Sequence, residues 1–161
     1  MTITIRRAKP SDAKIIAEFN FAMAKETEHF ELDRKRLLRG VASLLKDASN
    51  GFYILAEVDR KIVGQLMITY EWSDWRCGTF WWIQSVYVAP DYRSKGVFTK
   101  LFRHIEKEMK KNRSVCGLRL YVEQGNIRAQ QTYEHIGMKK TGYELYEIDV
   151  VLGGSRIIPT S

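Results

Sequence analysis

The stretch WIQSVYVAPDYRSKGVFTK, residues 82–100, decides the fold because it predicts a strand, a turn and a helix in succession. Residues 83–88 are rich in β-branched and aromatic side chains and precede Pro90, which is typical of a strand. Beyond Val97 the apolar residues switch to helical spacing. The apolar face of that helix consists of Phe98, Leu101, Phe102, Ile105 and Met109.

The turn at residues 93–97 has the composition of an anion-binding loop. A helix that begins there leaves backbone N–H groups without intrahelical partners, and together with the helix dipole they favour a phosphate. Gly96 allows close approach of a ligand to the backbone, while Arg93, Lys95 and Lys100 add positive charge. A plain strand-to-helix turn with solvated basic residues would have the same sequence. The stretch alone therefore leaves both an anion-binding loop and a plain turn open.

Composition indicates an ordinary globular protein. The chain has 161 residues, of which 45% are hydrophobic and 28% charged, which suits one domain over residues 1–161 with a core at 3–150. No apolar run has the length of a membrane span, and residues 1–6 are too short and too alternating for a secretory signal. Cys77 and Cys116 form neither a disulfide framework nor a zinc pattern, so we expect a cytoplasmic protein without a metal.

The net charge of +7 favours an anionic partner such as a phosphorylated cofactor, a nucleic acid or an acidic surface. The basic residues are scattered, and the densest group, residues 103–113, is interleaved with glutamates. That pattern is typical of the outer face of a helix, so we expect neither nucleic acid nor membrane as the main partner.

Strands and helices alternate around a central group of three strands. Local signals include Asp33 as a helix cap, Asp59-Arg60 as a two-residue hairpin turn, Gly64 as a bulge and Gly137 as a helix end. We predict Ser11 or Asp12 as the N-cap of the first helix. We predict an α/β fold with a mixed, mostly antiparallel sheet of about seven strands and about four helices on both faces, followed by a loose tail at 155–161. The predicted strands are residues 2–7, 52–58, 61–72, 79–88, 116–122, 138–142 and 143–150.

Two stretches resemble the motifs of a known family, the GNAT superfamily of acyl-CoA-dependent N-acetyltransferases. Residues 86–98, VYVAPDYRSKGVF, resemble its motif A, a strand followed by R/Q-x-x-G-x-G/A and a helix. Residues 120–138, LYVEQGNIRAQQTYEHIGM, resemble its motif B, N-x-x-A-x-x-x-Y-x-x-x-G-[FM]. The order of elements is similar over residues 3–150. Phe98 departs from the pattern because the family has glycine or alanine there, and the helical spacing places its ring on the core side.

The resemblance implies a binding mode for acetyl-CoA. In the family the pyrophosphate lies on the amides of the motif A turn, and the pantetheine arm lies along the fourth strand, which diverges from the fifth. An N–H of that strand polarises the thioester. Asn126 of motif B either caps a helix or binds the pantetheine amides. Carried over to this sequence, the resemblance implies these cofactor-binding residues: Val86, Tyr87, Val88, Arg93, Ser94, Lys95, Gly96, Val97, Phe98, Thr99 and Asn126.

Tyr133 is the residue that the resemblance implies for catalysis. Transfer of acetyl to an amine expels a thiolate, and a phenol with a pKa near 10 is still protonated at pH 7 and can act as the acid. A buried aromatic residue on the apolar face of the helix is the other interpretation of Tyr133.

The general base is not identified by the resemblance. Trp82 and Tyr121 occupy the positions at which some members carry a glutamate. The loop after the first helix borders the acceptor site in the family, and we expect it to contain Glu26, Glu28 and His29. We expect Glu28, Trp82 and Gln84 to contact the acceptor. A water chain is an alternative to any side chain. The carboxylates and imidazole that remain candidates for the base are Glu26, Glu28, His29, Glu71, Asp74 and Glu123.

The sequence therefore predicts an N-acetyltransferase that moves the acetyl group of acetyl-CoA to a primary amine by direct attack. The amine belongs to a small molecule or a protein. An acyltransferase for longer acyl-CoA molecules and a non-catalytic CoA-binding protein share the same motifs. The four tryptophans, at 72, 75, 81 and 82, suit core packing, a homodimer contact or the acceptor pocket.

Overall fold

The computed structural model of the chain describes residues 1–152, and the predicted tail at 155–161 lies outside them. Five strands and four helices are present in this range, with single 3₁₀ turns at Pro10–Asp12 and Pro90–Tyr92. The elements are β1 Thr4–Arg7, α1 Ala13–Glu28, α2 Arg34–Lys46, β2 Gly51–Val58, β3 Lys61–Ser73, β4 Gly78–Val88, α3 Val97–Lys111, β5 Val115–Arg119 and α4 Ile127–His135. Every helix in this range is too short or too polar to serve as a membrane span.

The chain divides into two compact units, residues 1–121 and a second that begins at Val122, and each is described by itself. The first unit contains a sheet in the order β1-β2-β3-β4-β5. Neighbouring strands are antiparallel except β5, which runs parallel to β4 after the α3 crossover. The predicted mixed, mostly antiparallel sheet is therefore confirmed. Whether the two units form one domain, as predicted, stays a prediction.

The helices of the first unit cover both faces of the sheet. One core cluster joins Ile16 of α1 and Val41 of α2 to Tyr53 and Leu55 of β2. Helix α3 packs on the opposite face. Ala56 and its partner Gly64 lie on that face, and a Cβ added to Gly64 would lie 2.9 Å from the Val97 side chain of α3. Leu101 and Ile105, one and two turns further along α3, are completely buried. The alternation of side chains along β2 thus builds two cores, one on each face.

Several local predictions are confirmed. The Asp33 side chain accepts a hydrogen bond from the Arg36 amide and caps α2. Asp59 and Arg60 form the hairpin turn with φ angles of 50° and 63°. Next to Gly64 the register with β2 shifts, as expected of a bulge. Asp12 precedes α1 but does not cap it with its side chain, since its carboxylate binds the Lys9 amide and Arg6.

Two predictions are wrong. Glu26 and Glu28 were expected in a loop, yet α1 continues through Glu28 and ends at His29, whose left-handed backbone lets its N–H bond the Ala24 carbonyl. Residues 138–142 and 143–150 were expected to be strands but form none, so the described sheet has five strands instead of about seven. Their β-rich composition is not sufficient, because a strand also needs a partner, and Tyr146 and Ile148 are 88% and 93% exposed.

Candidate active site

The connection from β4 to α3, which the sequence predicts to bind an anion, has a glycine at the start of the helix. Gly96 lies at the N-cap of α3 with φ 78°, and as a glycine it has no side chain with which to cap the helix. The first intrahelical hydrogen bond runs from the Lys100 amide to the Gly96 carbonyl, so the amides before Lys100 lie at the open end of the helix. A Cβ added to Gly96 would meet nothing within 4 Å, so the space beside this backbone is open. Ser94 also has a positive φ of 61°, within the turn that precedes α3.

The side chains of this turn have several different environments. Val97 is buried, whereas Phe98 is half-buried and packs on Phe102 with ring centroids 6.2 Å apart, so its ring lies at the margin of the core. Lys95 lies over the Tyr92 ring at 5.7 Å. Thr99 and Lys100 are exposed. The turn thus keeps its lysines at the surface while Val97 anchors it.

Arg93 is tied to α1 and to the end of β4. Its guanidinium lies 2.7 Å from the Glu26 carboxylate, and its Nε donates to the Val88 carbonyl. The Tyr87 hydroxyl donates to the other oxygen of Glu26 at 3.0 Å. Burial and the neighbouring Glu26 carboxylate raise the pKa of Tyr87, so its phenol remains a donor at neutral pH. Glu26, a base candidate in the sequence, is therefore engaged by two donors.

The edge of β4 beside β5 is open over residues 83–88. The last pair between the two strands is Trp82 with Arg119, and β4 continues to Val88 without a strand on that side in residues 1–152. On the other side a bulge interrupts the ladder to β3, because Gln65 pairs with Tyr87 but Met67 pairs with Gln84. Ser85, inside the bulge, has φ 50°. The predicted divergence of the fourth and fifth strands is thus present in the first unit.

A polar and aromatic surface lies next to this open edge. The Glu71 carboxylate accepts hydrogen bonds from the Trp82 indole at 2.5 Å and from Arg119 at 3.0 Å. The Trp82 ring lies 5.9 Å from the Tyr121 ring. Gln84, one strand period further along β4, donates to the Thr69 hydroxyl. Two residues predicted to contact the acceptor, Trp82 and Gln84, therefore share a face.

Arg119 was missed by the sequence reasoning. It lies two residues before Tyr121, so the period of a strand places both on one face. The pairing of Trp82 with Arg119 across β4 and β5 is not visible in the sequence. The other tryptophans lie in different environments. Trp81 is buried against Phe52, whereas Trp72 and Trp75 are 63% and 86% exposed.

The second unit carries the motif B residues. The Asn126 side chain caps α4 by accepting a hydrogen bond from the Ala129 amide at 3.2 Å, one of its two predicted roles. Gly137 follows α4 with φ 101°, as predicted for a helix end. Tyr133 is half-buried on α4, and burial raises the pKa of its phenol above the usual 10.0. The phenol of Tyr133 is thus protonated throughout the neutral range.

The remaining base candidates differ in their surroundings. Asp74, in the β3–β4 turn, accepts a hydrogen bond from the Trp75 amide. Glu28 lies in the last turn of α1, and Glu123 precedes α4 with its carboxylate close to Gly125. Within residues 1–152 no group of histidine, cysteine, aspartate and glutamate side chains is arranged to hold a metal ion.

Comparison with solved structures shows the same fold in other acetyltransferases. A possible acetyltransferase from Clostridium difficile 630 is 48% identical, with a TM-score of 0.87 over 94% of this chain and 99% of that one. A ribosomal-protein-alanine N-acetyltransferase from Brucella melitensis biovar Abortus 2308 is 20% identical, with a TM-score of 0.74 over 92% and 99% of the two chains. A predicted acetyltransferase from Clostridium acetobutylicum, solved with acetyl-CoA, is 19% identical, with a TM-score of 0.74 over 92% and 96%.

Sequence comparison gives the family. No curated protein sequence matches the chain significantly. The model of the acetyltransferase (GNAT) family matches residues 14–138, which include both motifs and most of the chain. The chain therefore belongs to the GNAT family of acetyltransferases.

Proposed function

We propose that this protein transfers the acetyl group of acetyl-CoA to a primary amine by direct attack on the thioester. One observation carries the proposal: the β4 edge at residues 83–88, which pairs with no described strand, leads to the N-terminus of α3, where Gly96 leaves space beside the backbone. A ligand with a diphosphate at one end and an extended amide-containing arm suits this arrangement. The arm can pair with the strand edge, and the diphosphate can accept hydrogen bonds from the helix amides.

The lengths agree with this ligand. Residues 83–88 extend over about 20 Å at the rise of a strand, which is the scale of a pantetheine arm. Arg93, Ser94, Lys95, Gly96, Val97, Phe98 and Thr99 would surround the diphosphate, while Val86, Tyr87 and Val88 would flank the arm and its thioester. Asn126, on the second unit, is proposed to bind the arm through its side chain in addition to capping α4.

The chemistry would proceed by addition and collapse. The amine attacks the thioester carbonyl, and an N–H of Val86 or Val88 stabilises the negative oxygen that forms. The tetrahedral intermediate then expels the CoA thiolate, and the Tyr133 phenol donates the proton that the thiolate takes. The protein supplies position, hydrogen bonds and a proton, and no acyl-enzyme forms.

The amine must lose a proton before or during its attack. An alkylamine with a pKa near 10.4 is neutral in only about one molecule in a thousand at pH 7. Glu26 and Glu71 are each held by a neighbouring arginine, and we assign the proton to water that leads to solvent. Glu28, Trp82 and Gln84 are proposed to contact the acceptor. We further propose a cytoplasmic enzyme that acts on a small-molecule or protein amine and that could function as a homodimer.

The test is acetyl-CoA turnover, followed by release of the CoA thiol, across a panel of polyamines, amino sugars, amino acids and peptides with free N-termini. Thiol release that depends on one class of amine, with the acetylated product identified by mass spectrometry, would support the proposal. Thermal-shift competition with acyl-CoA molecules of increasing chain length distinguishes an enzyme for longer acyl groups. Binding of CoA without turnover on any amine would favour a non-catalytic CoA-binding protein.

A further inference from the structure

A buried glutamine stands out in the core between α1 and the sheet. Gln65 of β3 is completely buried, and its amide nitrogen donates to the Asn20 side-chain oxygen at 2.7 Å. Asn20 in turn donates to the Tyr53 hydroxyl at 3.0 Å. Burial raises the pKa of Tyr53, so this hydroxyl is neutral. The three side chains form a polar chain inside an otherwise apolar core.

The same amide nitrogen of Gln65 also donates to a backbone group of β4. It lies 3.2 Å from the carbonyl oxygen of Ser85, the residue of the bulge that has φ 50°. The ladder between β3 and β4 skips from the Gln65–Tyr87 pair to the Met67–Gln84 pair, so residues 85 and 86 lack ordinary cross-strand partners. Inside the bulge, a side chain supplies the donor that a strand would otherwise supply.

This contact determines the direction of one amide. The peptide bonds of the described chain are trans, and in a trans peptide the C=O and the following N–H point in opposite directions. The Ser85 carbonyl points towards the Gln65 side chain, so the Val86 N–H points away from that side chain. The edge of β4 that β5 leaves after Trp82, where the proposed thioester lies, is on the side of β4 away from β3.

We propose that Gln65 is a positioning residue, which holds the Ser85 carbonyl so that the Val86 amide is directed at the thioester oxygen. The inference rests on the proposed function, since it names the part of the core that orients the oxyanion donor. Gln65 acts through the Ser85–Val86 peptide and does not itself contact the substrate.

The energetics of the core favour this role over simple packing. Within the described residues the Gln65 side-chain oxygen is buried and accepts no hydrogen bond. An unpaired buried acceptor destabilises a fold, and an apolar side chain of the same size would avoid the penalty. The Gln65 amide makes a second hydrogen bond, to the Ser85 carbonyl in the bulge, and an apolar side chain could not donate it.

The experiment compares Gln65→Met with the parent protein. Methionine retains the length and volume of glutamine but cannot donate to the Ser85 carbonyl. We expect kcat to fall about 10- to 100-fold, because a misdirected oxyanion donor loses most of its effect, while KM for acetyl-CoA changes by less than about twofold. In isotope-edited infrared spectra of bound acetyl-CoA labelled at the carbonyl carbon, the thioester C=O band should move to higher frequency.

Two further variants separate positioning from stability. Asn20→Leu retains Gln65 but removes the acceptor that fixes its amide, so kcat should fall by less than in Gln65→Met, with the same direction of band shift. Tyr53→Phe removes the hydroxyl that Asn20 and the Ser85 side chain both contact but leaves the Gln65 bond to the Ser85 carbonyl, so it should cost thermal stability and lower kcat by less than Gln65→Met. Asn20→Leu also provides the answer if Gln65→Met does not fold.

The outcomes are distinct. If the parent turns over acetyl-CoA and Gln65→Met retains both kcat and the carbonyl band, or if Tyr53→Phe loses as much kcat as Gln65→Met, the positioning role is wrong while the proposed function stands. If the parent neither binds nor turns over acetyl-CoA with any amine, the proposed function fails and the positioning role fails with it.

Discussion

The guanidinium of Arg93 lies 2.7 Å from the Glu26 carboxylate and thereby joins the turn before α3 to the end of α1. The Arg93 and Glu26 side chains are 39% and 40% exposed, respectively. Arg93 is the first residue of the proposed diphosphate cradle, so Glu26 competes with the cofactor for its positive charge. This ion pair thus joins the proposed cradle to α1, the helix that also carries Glu28, a proposed acceptor contact.

Glu26→Gln should tighten CoA binding and make it more sensitive to salt. Removing the carboxylate charge leaves the Arg93 charge available to the diphosphate, and an exposed pair of this kind is worth about 0–1 kcal/mol, which corresponds to a gain of up to about fivefold. Calorimetric titration with CoA at two salt concentrations measures this effect.

The matched control is Glu18→Gln, which breaks the exposed pair between Glu18 and Arg34. It should leave CoA affinity unchanged. Weaker CoA binding by Glu26→Gln would mean instead that the ion pair maintains the shape of the turn.

Gly96→Glu should abolish CoA binding. The new side chain would occupy the open space beside the proposed cradle and add a negative charge next to a diphosphate. A side chain at φ 78° also costs about 1–2 kcal/mol of stability, so a control must carry the same strain.

Gly137→Glu supplies that control. Gly137 has φ 101°, a Cβ there would also meet nothing within 4 Å, and it follows α4 instead of preceding α3. Both variants should lose thermal stability, but only Gly96→Glu should show no heat of binding in a calorimetric titration with CoA. Equal CoA affinity in the two variants would argue against a cradle at residues 93–99.

Tyr133→Phe should lower kcat by about 10²-fold and leave KM for acetyl-CoA unchanged, because it removes the proposed proton donor but no binding contact to the cofactor. Burial raises the pKa of this phenol, so its acid form persists above pH 10. At pH 10 more than half of the Tyr133 phenol should therefore still carry this proton, so the parent should retain more than half of the kcat that depends on it.

Steady-state kinetics of thiol release from pH 7 to pH 10 measures both effects. Tyr143→Phe, at a tyrosine that is 79% exposed, is the control and should behave like the parent. An unchanged kcat in Tyr133→Phe would assign the proton to water.

Asp12→Asn should destabilise the fold by about 2 kcal/mol at pH 7, because charge-assisted hydrogen bonds to Asp12 stabilise the start of α1. Arg6 bridges Asp12 and Glu57, and its hydrogen bonds hold the pKa of Asp12 below its usual 3.8. A depressed pKa in the folded state adds stability above pH 4, and that contribution is lost as the pH falls towards the folded value.

The difference in unfolding free energy between the parent and Asp12→Asn should therefore shrink below about pH 4. Urea denaturation followed by circular dichroism between pH 7 and pH 3 measures this difference. Asp59→Asn, on the exposed hairpin turn, is the control. A constant difference across this range would show that the Arg6–Asp12 pair does not contribute in this way.

Local patterns predicted most of the elements correctly. The switch from strand to helix at residues 82–100, the Asp33 cap and the Asp59-Arg60 turn each depend on neighbours in the sequence, so composition and spacing contain the information. The failures concern the end of one helix and two strands that do not form. Helix α1 extends beyond its apolar face through Glu28, and the β-rich residues 138–150 form no strand without a partner.

The sequence by itself determined the family, the order of the elements and the turn whose glycine begins α3. Those features follow from backbone preferences and from motif spacing over a few residues. Only the tertiary structure decided that β4 leaves β5 after Trp82, that Arg93 pairs with Glu26 and that Gln65 donates to Ser85. Each of these contacts joins residues from different elements, and strand register and helix packing over the whole first unit bring them together.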